Sequence, residues 1–340
     1  MQKKHLLLAL AATAVTASAM AQSSVTLYGR VNTTVEYQKA GDRKHYAVDD
    51  NSSRFGLKGM EDLGGGLKAG FQLESGFRSD TGEGSSGAGK GLSFDRQSEI
   101  NLSGGFGMVR LGKFFPESYF ATADYVSMHN HDTGTSADAL YYDPVWFNGP
   151  GTSNKVAYRT PNFGGLTVEG AMILHEQPSG FNAKHGYDLA ANYNLGALAL
   201  GAGYSYIDSN YQLGLRGLYT FGQFTVGAYY QRNKDASIID PTGAGTRNNF
   251  RLSGMYTMGA SEFHVNVGSA SKWSNKPDSA ATQWTIGYNY NLSKRTKVYT
   301  YYTAVNNKDQ SAYNPTYDDN RKLFNGENFS SFAVGVRHDF

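Results

Sequence analysis

The sequence predicts an all-β protein, a sixteen-stranded antiparallel transmembrane β-barrel. Three observations predict it. The carboxyl-terminal segment alternates, with Phe332, Val334, Val336, His338 and Phe340 on one side and Ser331, Ala333, Gly335, Arg337 and Asp339 on the other. A strand greased on one face and wet on the other suits a bilayer only within a closed sheet, where neighbouring strands satisfy its backbone. The same period of two recurs along the chain, and no apolar run of helix-spanning length follows the amino-terminal leader. Mean hydropathy is −0.47 although 14% of residues are aromatic and 41 are glycine, as when alternation dilutes the apolar residues.

The leader gives the address. Lys3 and Lys4 precede an apolar stretch from Leu6 to Val15, and Ala19-Met20-Ala21 is a small-residue cleavage site. The expected organisation is a signal peptide over 1–21 and one barrel domain over 22–340. Without Lys3 and Lys4 the acidic and basic residues balance, so net charge names no partner and nucleic acid is not expected. With no cysteine, thiol catalysis and zinc–thiolate sites are excluded, and export without disulfides is natural.

Alternation places strands at 24–37, 52–60, 66–77, 92–103, 107–113, 153–161, 165–175, 185–194, 197–207, 210–221, 223–233, 246–257, 261–271, 279–290, 297–307 and 328–340. In the first, Val25, Leu27, Val31, Val35 and Tyr37 oppose Thr26, Arg30, Asn32, Thr34 and Glu36. In another, Trp284, Ile286, Tyr288 and Tyr290 oppose Gln283, Thr285, Gly287 and Asn289. Leu218 and Ile173 fall on the polar side. Short turns such as Asn162-Phe163-Gly164 and Asn194-Leu195-Gly196 alternate with longer polar stretches near 38–51, 78–91, 114–152, 176–184, 234–245, 272–278 and 308–327. The connection at 208–209 is short and breaks the rhythm. Short turns on the periplasmic side and long loops outside put both termini in the periplasm. A soluble β-sandwich would explain neither the Phe340 strand nor the outward aromatic series.

Several segments carry a family resemblance. Ser24-Val25-Thr26-Leu27-Tyr28-Gly29, Ser53-Arg54-Phe55-Gly56-Leu57-Lys58-Gly59, Glu61-Asp62-Leu63-Gly64-Gly65-Gly66-Leu67-Lys68-Ala69 and Pro161-Asn162-Phe163-Gly164-Gly165 are four of them. With Asn291-Leu292-Ser293-Lys294-Arg295-Thr296 and the Val336-Arg337-His338 ending, the whole chain resembles the trimeric general porins of β-proteobacteria and neisseriae. The resemblance implies a homotrimer in outer-membrane lipid, including lipopolysaccharide. It also implies passive diffusion of ions and small hydrophilic solutes through a constriction formed by an inward-folded third external loop. Phe332, Val334, Val336 and Phe340 would be the signal read by the barrel assembly machinery. Asp339 departs from the family pattern, where a basic residue is common.

The stretch 114–152 is the longest connection and lies third among the external loops. It contains Glu117, Asp124, Asp132, Asp138 and Asp143 and no Lys or Arg. Alternation turns Arg30, Arg54, Lys58, Arg110, Lys155 and Arg159 inward. The resemblance adds Arg96, although its parity matches lipid-facing Ile100 and Leu102. An acidic loop facing a basic wall would set a transverse field across a wet waist, and the converging bases predict a modest anion preference.

Other motifs point to less. Gly84-Ser85-Ser86-Gly87-Ala88-Gly89-Lys90-Gly91 lacks the Ser or Thr that a phosphate-binding loop carries after its lysine, and a strand-like segment follows. His129 and His131 flank Asn130 beside Asp132, a spacing that does not specify a metal, and titration of the pair is the simpler consequence. No Gly-x-Ser-x-Gly is present, so a barrel enzyme is not expected, and neither is any cofactor. A substrate-selective channel is the stronger alternative. Trp146 and Phe147 are its candidate aromatic contacts, while Trp273 is scattered and Trp284 points to lipid. His264 faces the lumen by parity.

Overall fold

The computed structural model describes residues 24–340 apart from 86–90, 125–126, 130–131, 149–150, 179–182, 237–242 and 317–320. The leader over 1–21, most of the Gly84–Gly91 stretch, His131 and the side chain of Phe147 lie outside the described residues. The strands are β1 (Ser24–Ala40), β2 (Arg43–Asp50), β3 (Arg54–Gly64), β4 (Leu67–Gly76), β5 (Gln97–Gly104), β6 (Gly107–Lys113), β7 (Lys155–Arg159), β8 (Leu166–Ile173) and β9 (Gly186–Leu195). There follow β10 (Leu198–Ile207), β11 (Asn210–Phe221), β12 (Phe224–Asp235), β13 (Gly245–Met258), β14 (Ser261–Ala270), β15 (Ala281–Asn291), β16 (Thr296–Asn307) and β17 (Phe329–Asp339).

All pairings are antiparallel and most join chain neighbours, while β1 closes on β17 with Arg30 opposite Asp339 and Ala40 opposite Phe329. β1 takes β2 along Thr33–Ala40 and β3 along Ser24–Arg30. β2 and β3 are therefore two lengths of one stave, which makes a closed 16-stranded barrel. The break at Asn51–Ser53 is local. Ser52 has a φ of 59°, and the Ser53 amide donates to the Asp50 carboxylate at 3.2 Å.

Burial is inverted relative to a soluble protein. Val35 is 65% exposed and its neighbour Glu36 is 1% exposed. Apolar side chains face outward because lipid is to cover them, and polar ones hydrogen-bond inside. One end of the outer wall carries a run of ring contacts through Tyr219, Phe221, Phe224, Tyr256, Phe263 and Tyr288, spaced 4.7 to 6.3 Å. This end holds the tight turns, such as Gly222 with a φ of 58°. A second group, Tyr187, Tyr204, Tyr206 and Tyr211, marks the opposite end. Amphipathic rings at two levels are what a bilayer's two interfaces select. No helix among the described residues is long and apolar enough to cross a membrane; the strands do so.

Two of the boundary differences from the sequence expectation change how the wall is built. The polar stretch 38–51 is a tall hairpin rather than a loop, since β1 and β2 stay paired up to a turn at Gly41. β5 begins at Gln97 rather than at 92. Asp95 accepts from the Gly76 amide (3.1 Å) and the Ser85 hydroxyl (2.5 Å), holding the preceding segment across the end of β4 instead of beside it. Ile173, on the polar side by parity, is buried close to Val145 of the long loop. Asp339 has a structural use: it accepts from Arg30 Nε at 2.7 Å and so links the first and last strands. The Phe340 backbone exchanges two 3.0 Å hydrogen bonds with Gly29, completing the closure.

Candidate pore site

The connection from β6 to β7 carries two short helices, α1 (Glu117–Thr122) and α2 (Pro144–Asn148). α1 buries Ser118, Ala121 and Thr122, which share one face at helical spacing. That face rests on glycines of the inner wall. A Cβ at Gly203 would lie 2.8 Å from Ser118, and one at Gly214 would lie 2.9 Å from Thr122 Oγ1. The Ser118 amide donates to Asp188 at 3.1 Å. α2 is started by Asp143, whose Oδ1 accepts from the amides of Val145 (2.9 Å) and Trp146 (3.2 Å).

Between the helices the loop runs along inward-facing side chains of β1 and of β12 to β15. Asn32 donates to the Asp132 carbonyl (2.6 Å), and the Thr135 amide donates to Glu36 (3.1 Å). Gln283 donates to the Ala137 carbonyl (2.9 Å), Arg247 to that of Leu140 (2.6 Å) and Gln231 to that of Tyr142 (2.9 Å). These partners belong to the polar face of the sheet, so the loop backbone is satisfied against the lumen wall.

The bases singled out from the sequence differ in what they meet. Arg30 and Arg54 converge on Asp132 at 2.9 and 3.1 Å. Arg159 reaches Glu117 at 2.5 Å and Glu169 at 2.8 Å. Arg96, just before β5, pairs with Glu74 at 2.7 Å and stacks over Phe115 at 5.2 Å, so it joins the wall despite its parity. Arg110 and Lys155 face inward but do not meet the loop acids. Arg110 is buried between Glu99 (2.6 Å) and Glu169 (3.2 Å), while Lys155 lies against the Phe114 ring at 4.5 Å. Lys58 is exposed, over the Tyr28 ring at 5.2 Å, on the part of β3 that pairs near the start of β1.

The acids differ from the expected picture of a loop charged apart from its wall. Asp138 is clamped by Arg251 at 2.6 and 3.2 Å, both side chains 1% exposed. Asp124 accepts from the Tyr119 hydroxyl at 3.0 Å, and Asp143 is spent on the α2 cap. Burial alone would raise the Asp132 carboxyl, but Arg54 and Arg30 hold it below the usual carboxylate range. Opposite charges in a confined, weakly screened space pair directly rather than stand off. His129 has both ring nitrogens engaged inside the loop, with Ser127 (2.9 Å) and Ser136 (3.2 Å), and His264 bonds Asn289 at 3.1 Å. Among the described residues no His, Cys, Asp and Glu group is arranged to hold a metal.

Three bases emerge that the sequence reading passed over. Arg247 and Arg251 are inward on β13, alternating with outward Phe250 and Leu252, and their parity was a usable signal. Arg321, 2.5 Å from Asp49, comes from a connecting segment whose pattern gives no such signal. A cavity of about 1070 Å³ lies between the loop and the wall, with Arg54, Arg96, Asp124, Tyr119, Trp146 and Arg321 among its lining.

Comparison with known proteins gives the same architecture a family. Residues 7–310 match the Gram-negative porin family. Outer membrane porin protein 32 of Delftia acidovorans is 33% identical over 99% of this chain and 100% of its own length. The chain belongs to the Gram-negative porin family. An outer membrane porin of Bordetella pertussis is 28% identical over 99% of the chain and 100% of its own length. The solved structure of an anion-selective porin from Comamonas acidovorans superposes with a TM-score of 0.76 and 28% identity, covering 94% of this chain and all of that one. The porin is thus an outer-membrane diffusion channel, and the wet, charged lumen is its conducting path.

One group in this porin titrates near neutrality. Burial, then the neighbouring Asp188 carboxylate, pushes the Asp143 carboxyl up to about 6. Ser205 Oγ lies 3.0 Å from Asp143 and 2.9 Å from Asp188, and its single proton serves only one of them. A folded-state value above the unfolded one means that the native protein holds the extra proton, so stability falls as pH rises from about 4 to about 6. Asp143→Asn keeps an acceptor for the two α2 amides and should flatten that slope. Urea unfolding of vesicle-reconstituted protein at several pH values checks this, and an unchanged slope would place the titration elsewhere.

Proposed function

We propose that residues 114–152 form the constriction loop of a general diffusion porin with modest anion preference. In this reading residues 1–21 are a signal peptide, 22–340 the barrel, and three copies assemble into a trimer in lipopolysaccharide-containing membrane. The Phe340 strand is then the segment offered to the barrel assembly machinery. The proposal of a pore without enzymatic activity follows the family's character as channels.

One observation carries the preference. Arg30, Arg54 and Arg337 meet Asp132 and Asp339 in a connected set of contacts between 2.7 and 3.2 Å. Three guanidiniums on two carboxylates leave a positive surplus where Arg54 borders the cavity. Of the other loop acids, Glu117 and Asp138 pair with Arg159 and Arg251 and Asp143 caps α2, while Asp124 borders the same cavity. The anion-selective character stated for the Comamonas acidovorans porin agrees in sign.

In a planar bilayer under a potassium chloride gradient, the native protein should give currents in steps of three with a reversal potential of chloride sign. Arg54→Glu should move that potential toward potassium. An unchanged potential would remove Arg54 from the filter. A saturable block by neutral sugars would favour the substrate-selective reading.

A further inference from the structure

We propose that Lys297 and Arg337 form an anion subsite at the tight-turn end of the lumen, suited to a compact divalent oxyanion such as hydrogenphosphate. The inference rests on the channel reading and adds a binding station that the long loop does not build. Its starting point is strand register. β16 and β17 place Lys297 directly opposite Arg337, and β17 and β1 place Arg337 opposite Asn32. Asn32 is buried on the inner face, so alternation puts both bases in the same inward row. Residues paired in this way have Cβ atoms about 4.5–5.5 Å apart, and like charges there are destabilising. An anion that bridges the two cations removes that repulsion.

The acids nearby do not remove it. Asp339 takes Nε of Arg337 at 3.2 Å and Nε of Arg30 at 2.7 Å, so two guanidiniums share one carboxylate. Asp132 is held by Arg30 and Arg54. Glu262 on β14 accepts from Asn289 and Asn291, each at 2.9 Å, lies 3.4 Å from His264, and makes no ion pair with Lys297. Arg30, Arg54, Arg337 and Lys297 thus outnumber Asp132, Asp339 and Glu262.

The donors that remain lie side by side. Among the described residues Lys297 makes neither a hydrogen bond nor an ion pair, and its Nζ lies over the Tyr299 ring at 5.7 Å. Asp339 engages Arg337 through Nε alone, which leaves both terminal nitrogens of that guanidinium without a hydrogen bond. Both bases are half-buried, and the Asp339 side chain next to them is 38% exposed, so water reaches the row. An oxyanion of charge two accepts from the ammonium and from the guanidinium edge together. A monovalent anion cancels only part of the repulsion. Screening by lumen water keeps such binding weak, and weak binding still permits passage.

The test uses inorganic phosphate at mildly alkaline pH, where the dianion predominates, as a blocker of potassium chloride current through the native protein in a planar bilayer. Nitrate is the monovalent control. Phosphate should reduce the current saturably, and nitrate should not. Lys297→Gln should weaken the phosphate block about tenfold, the loss of one charge-assisted hydrogen bond. Lys294→Gln makes the same charge change at an exposed turn residue and should leave the block as it is. Equal weakening by the two variants would make the effect a diffuse field and overturn the site. Equal block by the two anions, or none by either with conductance intact, also overturns the site and leaves the pore standing. A reversal potential of potassium sign alongside block that depends on Lys297 would uphold the site and remove the anion preference. Absence of any potassium chloride conductance overturns the pore reading and the site with it. If Lys297→Gln fails to fold, the native comparison of phosphate with nitrate decides.

Discussion

Asp138→Ala should destabilise the folded barrel by about 3–5 kcal/mol, the cost of leaving one member of a buried ion pair alone. Arg251 is its partner, and both side chains are 1% exposed. After truncation the guanidinium keeps only neutral acceptors, Gln283 at 3.0 Å and Asn266, and neither supplies a counter-charge. Paired removal in Asp138→Leu with Arg251→Met should recover most of the loss, because no uncompensated charge remains in the wall. Urea unfolding in lipid vesicles measures both. A cost below about 1 kcal/mol for Asp138→Ala would mean that water reaches Arg251 and that the pair behaves like a surface bridge. The single variant should also show noisier open-channel current, since this clamp holds the loop between its helices.

Gly201→Val should unseat α1. A Cβ at Gly201 would sit 1.7 Å from the Ala121 carbonyl oxygen, a backbone atom that no rotamer change can move aside. Overpacking of this kind costs about 1–3 kcal/mol, and here the compliant partner is the loop rather than the hydrogen-bonded wall. The expected result is a barrel that still shows heat-modifiable migration, with a lower urea midpoint and an altered single-channel conductance. Gly217→Ala is the control on the neighbouring strand, where the nearest atom is Leu200 Cδ2 at an ordinary 3.7 Å. Native conductance in Gly201→Val would show that the helix seat does not set the waist.

The glycines under α1 show why part of this site was illegible. Gly201, Gly203 and Gly214 read as small inward residues of strands, like many others along the chain. Their meaning depends on a helix that begins over eighty positions earlier and is laid across them by the fold. Ion pairing is similar. Parity placed Arg30, Arg54, Arg110, Lys155 and Arg159 on the inner face, yet it cannot say that Arg110 is enclosed by Glu99 and Glu169 while Arg54 borders water. The partners of one charge come from strands distant in sequence, and register with shear decides which of them meet. Arg247 and Arg251 were within reach of the same parity argument.

Alternation itself is a local property. A period of two follows from strand geometry, and a bilayer outside with water inside demands it of every stave, so strand positions, closure and the outward rings could be read residue by residue. The tall β1–β2 hairpin escaped because its polar residues stand above the apolar band and lose the contrast on which the reading depends. The sequence by itself therefore determined the barrel and the acidic character of the long loop. Only the tertiary structure decided that most of those acids are paired with the wall or spent on a helix cap, and which guanidiniums border the cavity. The reason is physical: the membrane acts on each strand separately, whereas the lumen brings together side chains that share no sequence neighbourhood.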